Sequence, residues 1–387
     1  MKKALVLAPA FPGDSGGYEV AIKSSLFTFQ VFFDQVKAIY VVPEIRFKKN
    51  TVGGADLGVV LCYNKKSIVE RVVGSLFSLT PASIMQYKEK KMALAVISAI
   101  ENELAKLGFD NELFLIVEDI PLAYYVFSLS ADIRSSIKII IRSHNVFANI
   151  FRGLNVGVFV AFFKAYEIFR MRRFELAVHC FSDFFYAITD ADAAEYIDNY
   201  GIKCDGVISV GLDYMSYVDQ SGVPGDILYI GSVDLRKSQG INYFLDKIFP
   251  ILKKNIPEIR FHIAGRNSET LDSYYEGVLG YGFVDDIEEV WRKGAFFVNP
   301  QLSGSGIKIK SISAIQHSKV LLSSPIGIEG TGLADDINCV CYSSVESFVS
   351  RFMLLDKCDV VRLSKSANDF FLKNYLYENF HSDISLL

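Results

Sequence analysis

Along the first half of the chain, short apolar runs alternate with longer stretches whose apolar residues recur every three or four positions. The runs ALVLA (4–8), VKAIYVV (36–42), GVVLC (58–62), LFLIV (113–117), IKIIIR (137–142) and FFYAI (184–188) are too short for helices and predict strands. Between them, Lys88–Leu107 carries its apolar residues at helical spacing. Strand and helix in alternation predict a parallel sheet with helices on both faces. The rhythm then lapses over Tyr214–Asp226, which has Gly and Pro and no period and reads as a linker. Beyond it the rhythm restarts with ILYIG (227–231), a helix through 241–255, IRFHIAG (259–265), VLGYG (278–282), AFFVNP (295–300), KVLLSS (319–324) and CVCY (339–342).

The expected fold is therefore α/β, with two doubly wound, Rossmann-like domains facing across a cleft. The expected boundaries are 1–210, 211–360, and a helical tail, 361–387, packing back on the first domain. In such sheets ligands bind beyond the carboxyl ends of the strands. The segments that follow strands include Ala8–Gly17, Glu118–Tyr125, Arg142–Asn145, Gly231–Lys237, Gly280–Asp286 and Asn299–Lys308.

Composition narrows the function. The chain has 387 residues, 51% hydrophobic and 22% charged, with a net charge of −4, so it is core-rich and lacks the basic excess that general nucleic-acid binding requires. The six cysteines, Cys62, Cys180, Cys204, Cys339, Cys341 and Cys358, form no CxxC pair and no ordered spacing with histidine; neither a zinc site, another metal site nor a disulfide framework is expected. No GxGxxG follows the first strand, which disfavours a dinucleotide oxidoreductase, and no cofactor is expected. The start reads as a strand and no apolar run reaches membrane-spanning length, so the expected location is cytoplasmic. An apolar stretch followed by a basic, aromatic one, Leu154–Arg173, is either a peripheral contact with the inner face of the membrane or a buried helix entering a solvated one.

The chemistry concentrates at 301–333. Ser303, Gly304, Ser305, Gly306 and Ile307 open a helix that carries Lys308 and Lys310, and no acid appears until Glu329. Glycine N–H groups, lysines and a helix N-terminus together describe a phosphate seat; the plain alternative is a Gly/Ser turn entering a surface helix. In the first half, His144 follows a strand, Glu118 and Asp119 follow another, and Gly16-Gly17 follows the first. The histidine is either structural or functional, and the two acids either lie in water or bind or deprotonate a hydroxyl.

Residues Asp226–Leu333 resemble the donor-binding half of glycosyltransferase family 4, the retaining transferases of GT-B fold. The first half resembles that family's acceptor domain more loosely, through PAFPGDSGGYEVAI, RSHNVF and the stretch before the linker. The resemblance implies a nucleotide-diphosphate sugar donor, a hydroxyl acceptor that is a glycan or lipid-linked, and a role in bacterial surface polysaccharide or glycoconjugate assembly. It implies that Gly231, Ser232 and Arg236 or Lys237 meet the diphosphate, that Tyr281, Gly282, Phe283 and Val284 hold the base, and that residues 304–310 cradle the phosphates. His144 would touch the donor sugar, and the lysines would stabilise the leaving diphosphate without a metal or a protein nucleophile. One departure stands out: where the family carries acids that grip the ribose, this chain has Ser305 and Ser313. Glu329 and Asp285 are the candidate substitutes. The departure keeps open a second reading, a non-catalytic sugar-nucleotide-binding or partner subunit of the same fold.

Overall fold

The computed structural model describes residues 1–12, 17–44, 58–75, 78–108, 111–147, 158–220, 222–223, 225–233, 239–303 and 306–378. The chain divides into two compact units, one built on Met1–Gly211 and the other on Leu212–Asn379.

The first unit is built on a seven-stranded sheet: β1 (Lys2–Ala8), β2 (Gln35–Pro43), β3 (Val59–Tyr63), β4 (Glu112–Glu118), β5 (Ile137–Ser143), β6 (Phe184–Ala187) and β7 (Gly206–Val207). Their order is β3-β2-β1-β4-β5-β6-β7, and all neighbours are parallel. The strands read as unbroken apolar runs because both faces are covered. Leu5, Leu7, Leu113, Leu115, Ile139 and Ile141 pack into one core, while Ala4, Val6, Phe114, Ile116 and Ile140 pack into another on the opposite face. Period-two alternation is thus present, but every position is apolar.

The second unit holds a six-stranded parallel sheet of β8 (Ile227–Ile230), β9 (Phe261–Ala264), β10 (Val278–Gly280), β11 (Phe296–Asn299), β12 (Val320–Ser323) and β13 (Val340–Cys341), in the order β10-β9-β8-β11-β12-β13. The strand order reverses between β8 and β11, which places the topological switch point at the ends of those two strands. The helix expected over 241–255 forms with a π-helical stretch, Phe244–Ile248, directly before Phe249–Asn255. Pro250 explains it: the ring has no N–H and cannot sit against the carbonyl four residues back.

Two expectations need correction. The Lys357–Asn374 helix, expected to pack back on the first domain, groups with the second. It belongs to the second unit, where Val360 and Leu363 join that unit's core and Ala367 and Phe371 are buried as well. Its length serves packing within the second unit; residues 379–387 lie outside the described residues. The segment read as a linker is fastened to the second unit rather than free. Val218 N–H donates to Ser318 Oγ (3.1 Å), Gln316 Nε2 donates to the Asp213 carbonyl (2.9 Å), and Lys319 Nζ donates to Gln220 Oε1 (2.9 Å). Among the described residues no helix is long and apolar enough to cross a membrane.

Candidate functional site

At the carboxyl edge of the first sheet, β4 ends in Glu118 and β5 in Arg142-Ser143, with His144 next. Neither acid lies in water: Glu118 and Asp119 are both buried. Glu118 Oε2 accepts from Arg142 Nη1 (2.8 Å) and lies 2.5 Å from His144 Nε2. Arg142, a charged residue with no exposed surface, also donates to Ser25 Oγ (2.5 Å), the Ile208 carbonyl (2.8 Å) and the Ser209 carbonyl (2.7 Å). One guanidinium thereby ties β5 to β4, to the Gly17–Phe32 helix and to the segment after β7. Burial alone pushes the Glu118 carboxyl up, but the Arg142 guanidinium and the His144 ring outweigh it and bring it down to about 2.

Asp119 stands in a left-handed backbone conformation (φ 83°), and its carboxylate accepts from the Tyr18 hydroxyl (2.5 Å), the Ile120 N–H (3.0 Å) and the His144 N–H (3.3 Å). Burial pushes Asp119 above the ordinary carboxylate value, while His144 and the Tyr18 hydroxyl act against it. Tyr18 also stacks on the His144 ring at 5.5 Å between centroids. The structure therefore brings Glu118, Asp119 and His144 together. Arg142 and Tyr18 belong to the same cluster and were not foreseen, although a single arginine closing a buried apolar run was the signal for one of them. Gly17 opens the first helix; Gly16 lies outside the described residues.

At the carboxyl edge of the second sheet, Lys310 reaches from the first turn of the Ile309–Gln316 helix to the end of β8. Its Nζ donates to the Tyr229 hydroxyl (2.7 Å) and sits 4.6 Å from the centre of that ring. Among the described residues Lys310 has no carboxylate partner. Lys308 is buried, donates to the Gly306 carbonyl (2.9 Å) and lies 3.8 Å from Glu329 Oε2. Gly306 has φ 72°, which a side chain would resist, and this turns its carbonyl onto the lysine that follows. The helix is anchored from below: Ser311 Oγ donates to the Gly327 carbonyl (2.6 Å) and accepts from Asn299 Nδ2 (2.9 Å) at the end of β11.

Ser313 lies on the same helix, and its hydroxyl makes no hydrogen bond with the described residues; its carbonyl accepts from His317 Nδ1 (2.7 Å). Ile307 is half-buried, and Ser303 and Ser232 are exposed. Arg236, Lys237, Gly304 and Ser305 lie outside the described residues. Of the two candidate substitutes for the missing acids, Glu329 faces Lys308 and Asp285 is exposed.

In the segment after β10 the two aromatic rings part. Tyr281 turns back along the sheet, its hydroxyl 2.8 Å from His262 Nδ1, and His262 Nε2 lies 3.1 Å from Asp226 Oδ2. Phe283 is 76% exposed and Val284 half-buried, while Gly282 is held by its N–H to Ser268 Oγ (2.9 Å). Only Phe283 is placed as an open aromatic surface; Tyr281 braces the segment.

The basic run, read either as a lipid contact or as a helix passing from a buried to a solvated stretch, is partly spent inside the first unit. Arg170 is buried, paired with Glu167 and bonded to the Ser75 carbonyl (2.5 Å), and Arg172 lies over the Tyr200 ring. Phe162, Phe163, Phe169 and Arg173 remain exposed.

Comparison with known proteins places this geometry. Residues 224–353, about a third of the chain, match the family model described as Glycosyl transferases group 1. A Klebsiella pneumoniae protein named "Uncharacterized 44.6 kDa protein in cps region" is 29% identical over 119 residues, covering 28% of this chain and 31% of that protein; the match spans about a third of the relative's length. Among solved structures, sucrose-phosphate synthase from Thermosynechococcus elongatus superposes with a TM-score of 0.68 at 12% identity, over 98% of this chain and 96% of that one. HepE of Anabaena, solved in complex with UDP and glucose, gives a TM-score of 0.66 at 11% identity, over 98% and 97%. At such identities the likeness shows the fold alone. The chain thus has two parallel-sheet α/β domains of the GT-B glycosyltransferase fold, and its second domain matches the group 1 glycosyl transferases.

Proposed function

We propose that the chain is a retaining glycosyltransferase that moves a sugar from a nucleoside-diphosphate sugar to a hydroxyl acceptor during assembly of a surface polysaccharide or glycoconjugate. The observation that carries the reading is Lys310, a cation without a carboxylate partner among the described residues, held beside the Gly231 turn at the switch point of the second sheet. An ammonium there, with a helix N-terminus behind it, supplies charge where a departing diphosphate gains it. The exposed ring of Phe283 suits a base, and the hydroxyl of Ser313 suits a ribose. In the first domain, His144 is the group presented to a sugar hydroxyl. The relative's place in a cps region and the UDP and glucose bound by HepE favour a nucleotide-sugar donor and a glycan product.

Ser313 favours a second reading, a subunit that binds the nucleotide sugar without turning it over, because a neutral hydroxyl grips ribose less strongly than a carboxylate. Peripheral contact with lipid through Phe162, Phe163 and Arg173 is the finer reading of the first domain, and co-sedimentation with anionic vesicles at low salt tests it.

The central experiment is a thermal-shift screen of UDP, GDP, dTDP, CDP and ADP, followed by an assay for release of the diphosphate from the matching sugar nucleotide. One diphosphate is expected to raise Tm. If none does, the donor site is misassigned. Binding without release, across a panel of glycan and lipid-linked acceptors, favours the second reading.

A further inference from the structure

Glu118 and His144 meet through one atom pair, Oε2 and Nε2, 2.5 Å apart in a place closed to solvent. The same carboxylate oxygen accepts from Arg142, and three further hydrogen bonds, to Ser25 Oγ and to the Ile208 and Ser209 carbonyls, hold that guanidinium in place. A carboxylate oxygen only accepts, so the imidazole proton in this contact belongs to Nε2. The 3.2 Å approach of Arg142 Nη1 to the same nitrogen is then a contact between two donors that share one acceptor, not a second bond. The rest of the ring is held as firmly: Tyr18 stacks on its face, and Asp119 accepts the backbone N–H of His144. Among the described residues Nδ1 has no hydrogen-bond partner.

We propose that Glu118, locked by Arg142, is a positioning residue that fixes His144 with its proton on Nε2 and leaves Nδ1 bare, so that the histidine accepts a hydrogen bond from a carbohydrate hydroxyl. The opposite tautomer would donate at Nδ1 and would bind a ring oxygen or a phosphate oxygen instead. Glu118 Oε2 is taken up by Arg142 and His144, and its second oxygen, Oε1, is buried without a partner among the described residues. This reassigns Glu118 from a base that removes the acceptor's proton to the group that decides what the histidine can recognise, and it rests on the transferase reading above.

The test starts from the wild-type protein. In ¹⁵N-labelled protein the His144 imidazole signals are assigned by their loss in His144→Asn, and the expected spectrum at neutral pH shows Nε2 protonated and Nδ1 unprotonated. A proton on Nδ1 with Nε2 bare overturns the proposal, whether or not the protein transfers sugar. The functional arm uses the sugar nucleotide found by release assay. Glu118→Gln, which keeps the shape and removes the charge, is expected to lower kcat roughly tenfold to a hundredfold, the range for losing a partner that fixes a histidine's tautomer, with donor KM little changed. The Glu118→Gln, His144→Asn double variant is expected to be no slower than His144→Asn alone. Multiplying losses, or a change confined to KM, overturns the positioning role. Absence of any transfer by the wild type, with Nε2 protonated, sinks the transferase reading and with it the role assigned to Nδ1, while the tautomer assignment stands. The spectrum needs no altered Glu118, so a variant that fails to fold does not block the answer.

Discussion

Lys310 and Gly231 touch across the end of β8: a methyl group placed on residue 231 would come within 2.7 Å of the lysine Nζ and 3.0 Å of the Tyr229 hydroxyl. The glycine is what allows the ammonium to rest over the strand end. Because the crowded atoms are the far ends of side chains, Gly231→Ala is expected to cost little stability, within about 0.5 kcal/mol, while displacing the ammonium. Nucleotide affinity should fall with it. Lys310→Ala removes a charge-assisted contact worth about 1.5–3 kcal/mol, or roughly 10- to 150-fold in Kd for the nucleoside diphosphate. Calorimetric titration of both variants checks this. Wild-type affinity in Lys310→Ala would reduce the 301–310 stretch to a turn.

Ser313 offers the complementary measurement. Among the described residues its hydroxyl has no partner, at a position where the resemblance expects an acid. Ser313→Ala should weaken nucleotide binding by about 0.5–1.5 kcal/mol, one neutral hydrogen bond, and Ser313→Glu should strengthen it by a comparable amount through a charge-assisted bond to ribose. Equal affinity of all three proteins for the nucleoside diphosphate would place the ribose elsewhere.

The Arg142–Glu118 pair makes a prediction about acid. The folded-state value of Glu118, brought down to about 2, lies below its ordinary value, so the unfolded chain binds the proton first as pH falls. The stability contributed by this carboxylate is fully present above about pH 4.5 and is lost as pH falls toward 2. Glu118→Gln should flatten that part of the stability curve in acid urea titrations. Arg142→Leu should do worse than flatten it, because a buried carboxylate is left without its counter-ion, a change that costs about 3–5 kcal/mol.

How much of this was written in the chain differs by element. β1, β4 and β5 were legible because parallel strands covered on both faces leave uninterrupted apolar runs, and the strand-end position of His144 followed from them. The partners of that histidine were not legible. Arg142 bonds to Ser25, which is 117 residues away, and to Ile208, 66 residues away, and no local pattern announces a pairing at such separations. Tyr281 and Phe283 looked alike as aromatic residues beside a glycine; only the bond from Tyr281 to His262 separates the brace from the open surface. The Lys357–Asn374 helix was misplaced for a related reason. Its length is visible in the sequence, but which sheet its apolar side covers is decided by Val360 and Leu363 meeting a core assembled from residues up to about 130 positions earlier.

Lys319 supplies the last prediction, in base. Its ammonium is buried just before β12 and, among the described residues, hydrogen-bonds the neutral Gln220 amide alone; burial pulls it down to about 8, with Glu288 acting weakly in the other direction. The charged form is therefore disfavoured in the folded protein. Between about pH 8 and the unfolded value near 10.5, the unfolded chain holds a proton that the folded chain has released, so stability rises with pH across that window. Below pH 8 both states are protonated, and the folded state carries the full cost of the buried charge. Cys204, pushed up to about 12 by burial, acts in the opposite sense from about pH 9, and raised tyrosines such as Tyr40, pushed up to about 12, do so above pH 10, so the lysine is read from the difference in slope between the wild type and a variant that lacks it. Lys319→Met paired with Gln220→Leu removes the charge and the amide that would otherwise be left unsatisfied. The double variant is expected to lose the rise and to be more stable than wild type at pH 7 by about 1–3 kcal/mol. Urea unfolding at pH 7, 8, 9 and 10 measures both quantities. Equal slopes for the wild type and the double variant from pH 8 to 10 would mean that Lys319 keeps its ordinary proton affinity despite its burial.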